Sequence, residues 1–210
     1  MDCKATVNIG DFARGGQTRG DNRASDHDFA TDAKYIPCGI VDEDNGQLCV
    51  VFGSSSKTSD FIVDTLLEWW NDLTPQEQQQ TQKIQIKVDN GSESSGVRTQ
   101  FLKRMVEFAD LIAKPIHLLY YPPYHSKYNP IERCWGILEQ HWNGAKLTDA
   151  LTMLLWARSM TWKGLNPSIK LNLKTYDKGI SLTKKAMRAV ERRLKRNPLL
   201  PKWDILIPPV

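Results

Sequence analysis

The sequence predicts a mixed α/β domain, and three observations predict it. Short β-branched apolar runs alternate with longer stretches of helical period, which is the pattern of strands and helices sharing one sheet. The chain has 210 residues, 40% of them apolar and 25% charged, enough for a single well-buried core and close to the globular average. There is no internal repeat, no low-complexity tract and no apolar run near the roughly 18 residues that span a bilayer.

The elements follow in order. Asp2 lies at the start of a short strand candidate, and residues 8–34, rich in Gly, Asp, Arg and Ser without a sustained period, read as a long loop. Its glycines make neither a P-loop nor a G-x-G-x-x-G turn. YIPCGIV and LCVVF, joined by DEDNGQ with its Asn45-Gly46 turn signal, form a hairpin. Thr58 or Ser59 caps a helix in which Phe61, Ile62, Leu66 and Trp69 recur at helical spacing, and Thr74-Pro75 opens a second, shorter one. IQIKVD is a strand ending at Asp89, followed by the NGSESSGV loop. Residues 99–114 give the clearest helix, with Phe101, Met105, Phe108, Ala109 and Ile112 on one face and Pro115 as its stop. IHLLYY is a fifth strand. Pro130 then starts a helix striped by Ile131, Cys134, Trp135, Leu138 and Trp142, and another runs through 150–158.

Charge divides the chain. Residues 1–157 carry 15 Lys and Arg against 21 Asp and Glu, whereas residues 158–210 carry 13 against 3. The boundary suggests a body at 1–157 and a basic C-terminal helical segment and tail at 158–210. Its densest run is Lys184, Lys185, Arg188, Arg192, Arg193, Lys195 and Arg196. Such a segment reads either as a surface for a polyanion such as DNA or as a solvated basic helix. The four cysteines include no close pair, so zinc-ribbon and thioredoxin motifs are excluded and a reduced, cytoplasmic chain is the plain reading. No signal peptide opens it.

Three carboxylates stand where elements begin or end: Asp2, Asp89 and Glu132. The carboxyl end of a strand in an α/β sheet is where functional groups collect, which favours Asp89. Glu132 is equally readable as a first-turn acid complementing the helix macrodipole, although its phase puts it at the flank of the apolar stripe. Lys127 and Arg133 flank it as phosphate-binding candidates or as solvated charges. His125 reads as a loop histidine beside that segment. The Asp26-His27-Asp28 triplet is a poor metal site because adjacent side chains diverge, and Glu93 reads as a turn-stabilising carboxylate. No Ser-His-Asp or Cys-His arrangement is evident.

The segment YYPPYHSKYNPIERCW, a strand, a proline-rich loop and Asn129-Pro130-Ile131-Glu132 opening a helix, resembles the last catalytic segment of DDE transposases. KVDNGSE resembles their second catalytic Asp segment and MDCKA the remainder of the first. The GDF and HDF loop, the hairpin, KTSDF and the EWW helix are similar to the ISAzo-type bacterial insertion-sequence enzymes, across nearly the whole chain. The resemblance implies an RNase H-like fold, a mixed five-stranded sheet flanked by helices. It places Asp2 on the first, central strand, Asp89 on the fourth and Glu132 on the helix after the fifth, together holding two Mg²⁺ or Mn²⁺ ions at a DNA strand end. It further implies DNA as partner, at transposon ends and target, a homo-oligomer when full length, no membrane, and a bacterial, nucleoid-associated location. Related enzymes carry a helix-turn-helix region and a full strand ahead of the first Asp, whereas here only Met1 precedes Asp2. The expectation is therefore a truncated first strand and a chain that alone is inactive or weak and prone to associate. An inactive DNA-binding remnant and another RNase H-like nuclease are the alternative readings.

Overall fold

The structure, a computed structural model, describes residues 1–11, 13–16, 33–122, 125 and 128–210. Its element order is β1 (Asp2–Cys3), β2 (Val7–Ile9), β3 (Ala33–Val41), β4 (Leu48–Gly53), α1 (Ser59–Asp72), α2 (Pro75–Gln80), β5 (Ile84–Val88), α3 (Thr99–Ile112), β6 (Ile116–Tyr120), α4 (Pro130–Trp142), α5 (Ala150–Ser159), β7 (Ser168–Asn172), α6 (Lys184–Glu191), β8 (Lys195–Arg196) and β9 (Asp204–Ile207). The α/β class stands. The strands form two hydrogen-bonded sheets, each in its own compact unit: a mixed sheet of five strands, as expected, and a second sheet of four. β1 is two residues long and both of its ladder pairs go to β3, while β5 has its ladder with β6.

One unit comprises Asp2–Ser55 and Pro130–Thr175. Its sheet runs β1-β3-β4-β7, with β2 also paired to β3. β3 and β4 form the hairpin anticipated from the Asn45-Gly46 signal, and β4 is buried at all six positions. A strand buried on both faces reads as a continuous apolar run, which is why LCVVF shows no alternation. β7 lies parallel to β4, Val50 opposite Ile169. One face of this sheet carries Val7, Ile9, Leu48, Val50, Phe52 and Ile169, and α4 covers it with Ile131, Cys134, Trp135, Leu138 and Trp142. Phe52 and Trp142 meet with ring centroids 6.1 Å apart. Glu139, on the outer side of α4, accepts from Arg14 and pairs with Lys4 at 2.7 Å, and Arg14 also lies over the Trp142 ring. Burial raises the Glu139 pKa, but those hydrogen bonds outweigh it and hold the carboxyl below its ordinary value.

The other unit comprises Met1, Ser56–Asn129 and Tyr176–Val210. Its sheet runs β5-β6-β9-β8, with β5 and β6 parallel and β9 antiparallel to β6. Ile84, Ile86 and Val88 alternate with exposed or half-buried neighbours, the period of two expected of a strand. α1 is capped by Thr58, whose hydroxyl accepts from the Phe61 N–H. α3 buries Phe101, Met105, Phe108, Ala109 and Ile112 as the sequence pattern requires, and Ala113 at φ 52 closes it ahead of Pro115. Arg104 ties α3 to α1 through Asp60 at 2.6 Å and Asp64 at 2.8 Å. α2 carries a full capping box between Thr74 and Glu77.

Two expectations are corrected here. The loop at 8–34 begins inside a strand, because Val7–Ile9 pairs antiparallel with Ala33–Tyr35; most of the remaining segment, including His27, lies outside the described residues. Residues 158–210 are not only helix and tail. They supply β7, β8 and β9 as well as α6, and through β7 and β9 they complete both sheets.

Candidate active site

Asp89 directly follows β5 and is half-buried. The Asn90-Gly91 turn folds the chain back so closely that a Cβ on Gly91 would lie 3.2 Å from Asp89 Oδ2. Ser94, buried, donates its hydroxyl toward Asp89, with Oγ 3.3 Å from both the backbone oxygen and Oδ1. Ser94 is held in turn by its own N–H to the Gly91 oxygen and by the Tyr120 hydroxyl, which donates to the Ser94 carbonyl at 2.9 Å. Burial pushes the Tyr120 phenol well above its ordinary pKa, so it remains a donor at neutral pH. Glu93, four residues from Asp89, is engaged elsewhere: it accepts from the Ser59 N–H and hydroxyl and pairs with Arg98 at 3.2 Å. That matches its reading as a structural carboxylate.

Asp2 sits on β1 directly opposite Gly39 of β3. Residues directly opposite in an antiparallel pair present their side chains on the same face. The face of Gly39 is the one on which α4 lies, because Ile131 and Trp135 approach the position its Cβ would occupy. Asp2 therefore projects toward the α4 side of its sheet. Glu132 lies in the first turn of that helix, exposed, next to fully buried Ile131. Asp2 thus lies on the sheet face that α4 covers, and Glu132 is carried by the first turn of that helix. Arg133 is exposed beside Glu132, and Lys127 lies outside the described residues. Asn129, buried immediately ahead of α4, donates its amide to the Met1 carbonyl at 3.4 Å, and the Met1 amino group donates to the Lys87 carbonyl at 2.8 Å. His125 is exposed and stacked on Tyr128, their centroids 5.9 Å apart.

Several carboxylates are paired with a cation: Asp60 and Asp64 with Arg104, Asp110 with Arg193, Glu93 with Arg98, Glu139 with Lys4 and Arg14. Asp89 and Glu132 are not; among the described residues neither forms an ion pair. Among those residues, too, no group of three or more His, Cys, Asp or Glu stands close enough together to hold a metal ion. The donor chemistry of Asp2, Asp89 and Glu132 nonetheless fits a hard cation, since Mg²⁺ takes oxygen ligands, keeps several waters and completes its shell from substrate phosphates.

The basic run divides in two. Arg193 is bidentate to Asp110, at 3.0 and 2.6 Å, and also donates to the Pro208 carbonyl. Arg196 pairs with Glu191 and donates to the Gly96 and Pro201 carbonyls. Both were expected to contact DNA, yet both are engaged within the chain. Lys184, Lys185, Arg188, Arg192 and Lys195 are exposed. Sequence reasoning missed Ser94 and Gly39. A serine five residues after an aspartate carries no signal, and a strand glycine shows its purpose only once its neighbours are known.

Strands and helices in this order, a mixed α/β arrangement with two sheets, accord with an RNase H-like domain. The chain belongs to the Rhodopirellula transposase DDE domain family, which matches residues 1–209. It is a DDE transposase domain of an insertion sequence. No curated protein and no solved structure matches it significantly. Among the described residues no helix is long and apolar enough to cross a membrane.

Proposed function

We propose that this domain catalyses metal-dependent DNA strand cleavage and strand transfer, with Asp2, Asp89 and Glu132 as the carboxylate ligands of two divalent cations, Mg²⁺ or Mn²⁺. The observation that carries the reading is the contrast among carboxylates. Asp89, at the end of β5, and Glu132, in the first turn of α4, are without a cation among the described residues, whereas Asp60, Asp64, Asp110 and Glu139 each have one. When bound, the ions would supply activation of the attacking water or 3′-hydroxyl and stabilisation of the leaving oxygen. The protein's own part is to hold its carboxylates ready. Ser94 orients Asp89, and α4, which carries Glu132, packs Ile131 and Trp135 against Gly39, the ladder partner of Asp2.

Transposon-end and target DNA are the partners in this reading. Arg133, Lys184, Lys185, Arg188, Arg192 and Lys195, all exposed, are the phosphate-contacting candidates, with Lys127 beside the metal ligands. Joining two ends of one element calls for more than one active site, so a homo-oligomer on DNA in the bacterial nucleoid is the working form. In the transposase carrying this domain, Asp89→Asn and Glu132→Gln should each lower Mn²⁺-dependent cleavage of end-containing DNA by at least a hundredfold while DNA binding in chelator stays within twofold. Cleavage retained by either variant removes that residue from the ligand set.

A further inference from the structure

Gly39 sits inside β3 between Cys38 and Ile40, in a strand where every other described neighbour carries a side chain. A glycine within a strand weakens it, since it has more backbone freedom to lose and nothing to pack. No positive φ accounts for it, because Gly39 is not among the residues in the left-handed region. Space does. A Cβ at Gly39 would lie 2.6 Å from Ile131 Cδ1, 2.6 Å from Trp135 Cη2 and 2.8 Å from Trp135 Cζ2, all well inside contact distance. Ile131 is fully buried and Trp135 nearly so, which leaves neither side chain room to withdraw.

The placement of this contact links it to the site. Gly39 is the ladder partner of Asp2, and Ile131 is the residue immediately before Glu132. The two side chains that press on Gly39 belong to the first two turns of the helix that carries Glu132. We propose that Gly39 is a positioning residue: its missing side chain sets how closely the start of α4 rests on β3, and thereby where the Glu132 carboxylate stands relative to Asp2. The inference rests on the reading of Asp2 and Glu132 as metal ligands. Even a single methyl group on Gly39 lifts the first turns of α4 from the sheet, and a carboxylate carried on that turn moves with them. A ligand pair tolerates little such displacement, because divalent-cation affinity depends on both oxygens meeting one ion.

The test is Mn²⁺ binding to the 210-residue chain, read by electron paramagnetic resonance without DNA, with thermal melting measured in parallel. Gly39→Ala should remain folded with a lower melting temperature and bind Mn²⁺ at least tenfold more weakly. Ile131→Val removes Cδ1 and Trp135→Phe removes the outer ring atoms, so adding both to Gly39→Ala should restore affinity to within about threefold of the Ile131→Val/Trp135→Phe protein. A mere packing role would lower the melting temperature of Gly39→Ala and leave Mn²⁺ affinity unchanged, which would overturn the proposal. Failure of the compensated variant to regain affinity would overturn it equally. Asp2→Asn and Glu132→Gln are run alongside. If they lose Mn²⁺ while Gly39→Ala does not, only the positioning role fails; if they bind as the unaltered chain does, the ligand reading fails and this inference with it.

Discussion

Asp89, the proposed ligand, and Glu93 are two nearby carboxylates with different partners. Glu93, four residues on, is drawn into the start of α1 and onto Arg98, whereas Asp89 has the neutral Ser94 hydroxyl, which orients it without quenching its charge. Replacing Ser94 by Ala should cost about 1 kcal/mol of stability, the worth of a typical hydrogen bond, and reduce cleavage without abolishing it, as denaturant unfolding and end-cleavage rates would show. Asp89→Asn should behave in the opposite way, abolishing cleavage while leaving the unfolding midpoint unchanged or slightly raised, because no described cation loses its partner. Both Asp89 and Glu132 were visible in the sequence, one at the end of a clean alternating strand and the other behind an Asn-Pro helix start. Ser94 and Gly39 were not. Their importance comes from tertiary neighbours, the Asp89 carboxylate folded back by a turn in one case and the α4 side chains in the other.

The first turn of α6 opposes the helix dipole, although Arg188 in the last turn and Arg192 at the C-cap complement it. Lys184 and Lys185 occupy its first turn, where positive charge is unfavourable, and Glu191 ends it. What holds it is Val190 and the following Leu194, both buried, together with the Arg193–Asp110 pair to α3. A basic first turn kept at a cost to the helix fits a surface for phosphates, so Lys185→Glu should stabilise the protein by roughly 0.3–1 kcal/mol while weakening DNA binding. Lys184→Ala/Lys185→Ala should lower the slope of log K against log salt by about 0.9 for each phosphate that is no longer neutralised; an unchanged slope would make the run a solvated surface. The Arg193–Asp110 pair predicts a pH dependence. The hydrogen bond from Arg193 leads the effects that hold the Asp110 carboxyl below its ordinary 3.8. A depressed acid contributes stability that is present above the unfolded value and is lost as pH falls through the folded one. The stability gap between the unaltered chain and Asp110→Asn should therefore be constant near neutrality and close below pH 3.8, measured by urea unfolding across pH. The charge run of α6 was plain in the sequence, but its division was not: which arginines face solvent depends on Asp110 and Glu191. β7 and β9 escaped sequence reasoning for a related reason. SIKLN and DILI are brief, and DILI lies between prolines. Each becomes a strand only by pairing with a partner far away in the chain, β4 or β6.

At the scale of the whole molecule, two sheets are each completed by strands distant in sequence, and the family match runs from residue 1 to residue 209. The strands and helices from β3 to α4 were readable from their apolar pattern and from the Pro, Gly or capping residues that bound them, whereas β2, three residues long, is too short to show a period. The division into two ladders was not, since it depends on strands far apart in the chain, β4 with β7 and β6 with β9, finding one another. The central claim is that Asp2, Asp89 and Glu132, contributed by three separate stretches of this chain, serve one metal-dependent reaction. Iron-directed cleavage tests it most directly: Fe²⁺ replaces Mg²⁺, ascorbate and peroxide generate radicals at the bound ion, and the cut backbone is mapped by mass spectrometry. The account predicts cuts beside Asp89 and beside Glu132, both suppressed by excess Mg²⁺ and both lost in Asp89→Asn. Cuts confined to other segments, or cuts at Glu132 that persist undiminished in Asp89→Asn, would contradict it.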